Sequence, residues 1–124
     1  MTNDLLVYSG AILTLIWGVA HLFPTKSVVK GFGDISTDHK RILAMEWISE
    51  GVLMIFIAII CGGVTYLDPL GRISIFIYIA SAITLIIMAV TSLFTGFKVK
   101  FLPYRLCPFI FLISAILILA ATIV

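Results

Sequence analysis

Four uninterrupted apolar stretches, each about as long as a bilayer crossing, constrain this chain more than any other feature. They cover about residues 5–23, 42–66, 73–97 and 103–124. A helix rises 1.5 Å per residue, so about 20 apolar residues cross the roughly 30 Å of hydrocarbon in a membrane. The stretches do not alternate apolar and polar residues as barrel strands do. A helix also satisfies its own backbone hydrogen bonds, which lipid requires. The predicted fold is all-α: an integral membrane four-helix transmembrane bundle with up-down topology. It forms one domain over residues 1–124.

Composition narrows the choice further. Hydrophobic residues make up 62% of the chain and charged residues 11%. Soluble domains carry about 45–50% and about 25%, so a soluble globular fold is excluded. So is disorder, which needs low hydrophobicity and high charge. The net charge of +2 does not point to nucleic acid, because the Lys and Arg lie in short connections between apolar runs.

Punctuation separates the helices. Pro24 ends the first, and Asp68-Pro69-Leu70-Gly71-Arg72 forms a tight turn between the second and third. Lys98, Lys100, Pro103 and Arg105 divide the third from the fourth, and Pro108 suits a first turn. The longest connection, residues 24–41, predicts a short interfacial helix through Val28, Val29 and Phe32, ended by Gly31 and Gly33. Ser36, Thr37 or Asp38 then caps the next helix. Met-Thr-Asn-Asp supplies no basic n-region and no A-x-A site follows, so the first helix is expected to be retained rather than cleaved.

The first and third connections hold seven Lys and Arg, whereas the second holds only Arg72. By the positive-inside rule the basic connections, including segment 24–41, are cytoplasmic and both termini extracytoplasmic, in a setting such as a bacterial inner membrane. Cys61 and Cys107 then approach opposite leaflets and are expected to be separate buried thiols.

Ionisable residues inside a membrane are costly. All four helices place polar groups toward the basic side: His21, then Glu46 and Glu50, then Thr91, Ser92 and Thr95, then Tyr104 and Arg105. Glu46 and Glu50 share a helix face at i, i+4 spacing. Glu46 has a plain reading as an interfacial carboxylate paired with Lys40 or Arg41. Trp17 and Trp47 have one as belt aromatics. Glu50 lies a turn deeper, where a carboxylate must be paired or protonated. His21 and Arg105 are the candidate partners, in either an interhelical lock or a functional site. The candidate ligand-binding set is therefore His21, Glu46, Glu50, Arg105, Trp17 and Trp47. No catalytic residue is assignable. No metal site is expected, since H-x-x-x-H and E-x-x-H are absent, and no cofactor motif occurs.

Gly10 and Gly18 in the first helix, and Gly51, Ala58 and Gly62 in the second, predict close helix contacts, within one chain or in a homo-oligomer.

Two stretches carry a resemblance. Ile16-Trp17-Gly18-Val19-Ala20-His21-Leu22-Phe23-Pro24, and Glu50-Gly51-Val52-Leu53 followed by Cys61-Gly62-Gly63, resemble the DoxX-like group of small four-helix bacterial membrane proteins, which has been related to EXPERA-type sterol-binding proteins. The resemblance covers the first half of the chain and implies a four-helix bundle with an accessory role. His21 departs from the pattern, so no catalytic assignment carries over. Three functions fit these readings. One is a binding or accessory protein for a lipophilic molecule such as a quinone, isoprenoid or sterol. The second is a small acid–base enzyme, such as a double-bond isomerase, using His21 and Glu50. The third is a proton-coupled transporter.

Overall fold

The structure is a computed structural model that describes residues 2–100 and 102–124. It contains five α-helices: α1 (Thr2–Leu22), α2 (Thr25–Gly31), α3 (Thr37–Leu67), α4 (Arg72–Phe94) and α5 (Leu102–Ile123). A single 3₁₀ turn, Gly96–Lys98, links α4 to α5. The fold is all-α as expected. Four helices, all but α2, are long and apolar enough to cross a membrane.

The helices form a four-sided ring. α1 packs against α3 on one side and α5 on the other, and α5 packs against α4. The fourth side, between α3 and α4, is the least packed of the ring. These two helices meet near the short Asp68–Gly71 connection. There the Thr65 and Tyr78 hydroxyls lie 2.7 Å apart, and Ser74 donates to the carbonyl of Asp68. Buried residues from all four long helices fill the centre, among them Val7, Met54, Leu85 and Phe111.

Glycine sets the closest contacts. A Cβ on Gly18 would stand 2.9 Å from Met54 Cβ and 3.0 Å from the Gly51 carbonyl oxygen. A Cβ on Gly51 would meet Leu22 Cδ2 at 2.6 Å. The two glycines therefore face each other across the α1–α3 contact. Gly10 does the same against Ser114 and Ile118 of α5. Gly62 departs from expectation: a Cβ there would meet nothing within 4 Å, so it does not mark a close contact.

Local signals explain the basic end. The chain leaves α2 through Gly33, whose φ of 76° suits glycine and strains other residues. Of the three candidate caps for α3, Ser36 serves, accepting from the His39 N–H at 3.2 Å. α3 has 31 residues and so runs about 46 Å, well beyond a hydrocarbon crossing. Its first turns project past the end of α1 and carry α2 against them. The last helix starts at the earlier of its two expected positions, Pro103 rather than Pro108. Leu102 and Pro103 occupy the first positions, and Pro108 lies inside α5. Pro103 already fills the position where a missing N–H costs nothing. Cys61 and Cys107 are free and buried, as expected of separate thiols.

Gly18→Ala should lower stability by about 1–2 kcal/mol, because overpacking against Met54 and the Gly51 backbone outweighs the gain in helix propensity. Gly62→Ala should be neutral or stabilising by up to about 1 kcal/mol. Unfolding midpoints of the detergent-solubilised protein, followed by circular dichroism, check the order.

Candidate functional site

The loose α3–α4 side opens at the basic end into a cavity of about 740 Å³, within the roughly 300–1,000 Å³ usual for small-molecule sites. α1 contributes His21, from its last turn. α3 contributes Leu43, Glu46, Trp47, Ser49, Glu50 and Leu53. α4 contributes Ile87, Met88, Thr91, Ser92 and Thr95, and α5 contributes Tyr104 and Cys107. Val28 of α2 and the nearby Phe32 also line it. The walls are mostly apolar, and Leu53 and Ile87 are exposed on opposite flanks of the mouth.

The polar floor is held by one stacked group. The His21 and Trp47 rings lie 3.7 Å apart at 14°, an almost parallel stack. The Trp47 indole N–H donates to the His21 backbone carbonyl. Helix α1 ends just beyond His21, so this carbonyl is among those lacking a full set of helical partners. Tyr104 meets the other side of Trp47 edge-on, with centroids 5.3 Å apart. The imidazole is thus fixed by a ring, a backbone bond and the Gly18–Gly51 contact one turn away.

This arrangement aims His21 at Glu50. Nε2 stands 3.2 Å from Glu50 Oε2, with the His21 side chain 5% exposed and that of Glu50 36%. The distance is that of an ion pair, but Nε2 lies outside hydrogen-bond alignment with any partner. The carboxylate therefore keeps acceptor capacity toward the cavity, where an ionised carboxylate has about four acceptor sites.

Four of the six sequence candidates meet here: His21, Glu46, Glu50 and Trp47. Two do not. Arg105, expected as a partner for Glu50, is exposed with its guanidinium 5.3 Å above the Phe97 ring. At the start of α5 its long side chain reaches the loop aromatic rather than the interior. Trp17 points to α5, beside Cys107, and its buried indole N–H has no aligned partner. Glu46 also differs from its plain reading. The described ion pairs are His21–Glu50 and Arg41–Asp38, so Lys40 and Arg41 leave Glu46 unpaired at the cavity edge. Sequence reasoning did not assign the α4 wall to the site. Met88, Thr91, Ser92 and Thr95 fall at i, i+3, i+4 and i+7, one helical face, which was the available signal. No group of three or more His, Cys, Asp or Glu able to hold a metal occurs among the described residues.

No protein-family model, curated protein or solved structure matches the chain.

Trp47→Phe keeps the stack but loses the N–H bond, and should cost about 0.5–1.5 kcal/mol. Trp47→Ala removes both and should cost roughly 3 kcal/mol. Chemical unfolding in detergent separates the two, and equal costs would mean that the stack contributes nothing.

Proposed function

We propose that this chain is a multi-pass membrane protein that binds a lipophilic small molecule in the α3–α4 cavity, alone or as an accessory subunit. The single observation that carries this reading is an apolar-walled cavity whose floor holds a fixed, buried imidazole beside a carboxylate with free acceptor capacity. Small-molecule sites combine mostly apolar walls with a few placed polar groups in this way. The molecule's apolar body would lie along Leu53, Ile87 and Met88, with its polar end at His21 and Glu50. The DoxX-like resemblance of the first half of the chain is in keeping with such a role.

The charge bias supports a cavity in the cytoplasmic leaflet with both termini outside. A cysteine at Ser36 should react with a membrane-impermeant maleimide only after permeabilisation, whereas one at Leu70 should react in intact cells. The reverse pattern would overturn the orientation.

A second reading rests on the His21–Glu50 approach itself. A histidine and a carboxylate 3.2 Å apart form an acid–base pair suited to proton transfer, as in double-bond isomerisation. The two readings differ in what is recovered: a binder returns its ligand unchanged, an enzyme a mixture of isomers.

Ser92→Trp should fill the cavity and remove any co-purifying small molecule seen by native mass spectrometry, while helical content stays unchanged. Retention of the same molecule by this variant would place the site elsewhere.

A further inference from the structure

The charges bordering the cavity are of one sign. Glu46 and Glu50 both line it, and among the described residues no Lys or Arg does. The lysines and arginines of that end stand exposed outside it. Exposed charges are screened over about 8–10 Å at physiological salt, whereas a carboxylate within apolar walls acts through a lower dielectric.

The two carboxylates also hold unused acceptor capacity. Neither carboxylate receives an aligned hydrogen bond among the described residues, and the closest donor, His21 Nε2, is buried and misaligned. Two neighbouring donors are already committed: the Trp47 N–H to the His21 carbonyl, and the Thr95 hydroxyl to the Thr91 carbonyl. A phosphate or carboxylate head would bring more acceptors and a like charge, which is costly in a desolvated site. A carbonyl head could accept from the Ser49, Thr91 or Ser92 hydroxyls that line the cavity, but it would leave both carboxylates without a donor. An ammonium brings N–H donors and the opposite charge, and makes charge-assisted bonds, the stronger kind. The rings of Trp47 and Tyr104 border the same floor, and a ring face turned toward the ligand would favour a cation over an anion.

We infer that the ligand class of this cavity is a lipophilic amine, its ammonium held by Glu50 with Glu46 alongside and its tail between Leu53 of α3 and Ile87 and Met88 of α4. This rests on the proposed lipophilic-ligand site and adds the sign of the ligand's charge to it. Glu50 is the specificity-determining group, and His21 positions it by occupying the side away from the cavity mouth.

The test uses three probes with the same tail and different heads. The full-length protein in a neutral detergent receives equimolar dodecylamine, dodecanol and dodecanoate at neutral pH, and native mass spectrometry reads which is retained. The amine should be retained about tenfold over the carboxylate and several-fold over the alcohol, about 1.4 kcal/mol for the larger ratio. Glu50→Gln should bring amine retention down to that of the alcohol and leave the alcohol unchanged. Equal retention of amine and alcohol by the wild type would overturn the charge selectivity and leave the lipophilic site standing. Preference for the carboxylate would overturn it outright. Retention of none of the three, or equal retention by the Ser92→Trp variant, would remove the lipophilic site and this inference with it. Should Glu50→Gln lose its helical signal, Glu46→Gln provides the comparison, with a smaller fall in amine preference expected. The wild-type ratio decides the charge sign on its own.

Discussion

The contact between Gly18 and Gly51 holds the geometry on which everything else at the basic end depends. With no Cβ on either residue, the α1 and α3 backbones approach until each glycine sits against the other's carbonyl. One turn further along, the same closeness brings His21 and Trp47 into a near-parallel stack, with the Trp47 N–H on the His21 carbonyl. Were the helices held apart by side chains, the rings would separate first and the His21–Glu50 approach would open next. Packing between small residues is thus the means by which the polar groups are positioned, and in lipid, where helices have no hydrophobic reason to associate, it would matter most.

The ring of helices is uneven for a reason visible in its connections. α1 with α3, and α5 with both α1 and α4, pack along glycine, alanine and serine positions. α3 and α4 are tied near their short turn by Thr65, Tyr78 and Ser74, and they part toward the basic end. Each wall of the resulting cleft carries its own kind of side chain. α3 supplies carboxylates and an indole, α4 supplies hydroxyls and apolar groups, and α1 supplies the imidazole.

Much of this was legible in the residues. Hydropathy alone delimits the four helices long and apolar enough to cross a membrane. The short helix before α3 and its Ser36 cap followed from local backbone chemistry. Within the site, i, i+4 spacing put Glu46 and Glu50 on one face, and depth along the helix set Glu50 apart. Three things were hidden. Pro103 and Pro108 both look like helix starts, and nothing local decides between them. Arg105 carries the right charge to meet Glu50, but whether it turns inward or over Phe97 depends on how α5 is rotated. The parting of α3 from α4 is a tertiary property, since hydropathy does not say which neighbour a helix is held against loosely. Gly62 makes the same point: a small residue permits close approach without requiring it.

The apolar part of the cleft's exposed lining has one more consequence. Exposed Leu53 and Ile87 line the cleft beside the exposed polar groups of Glu46, Ser49, Thr91 and Thr95. In a bilayer, as proposed, that apolar part would face acyl chains, and a guest would arrive sideways out of the lipid rather than from water. Its occupancy would then follow its mole fraction in the membrane. Two compounds with identical contacts at the floor would differ in apparent potency by the ratio of their partition coefficients.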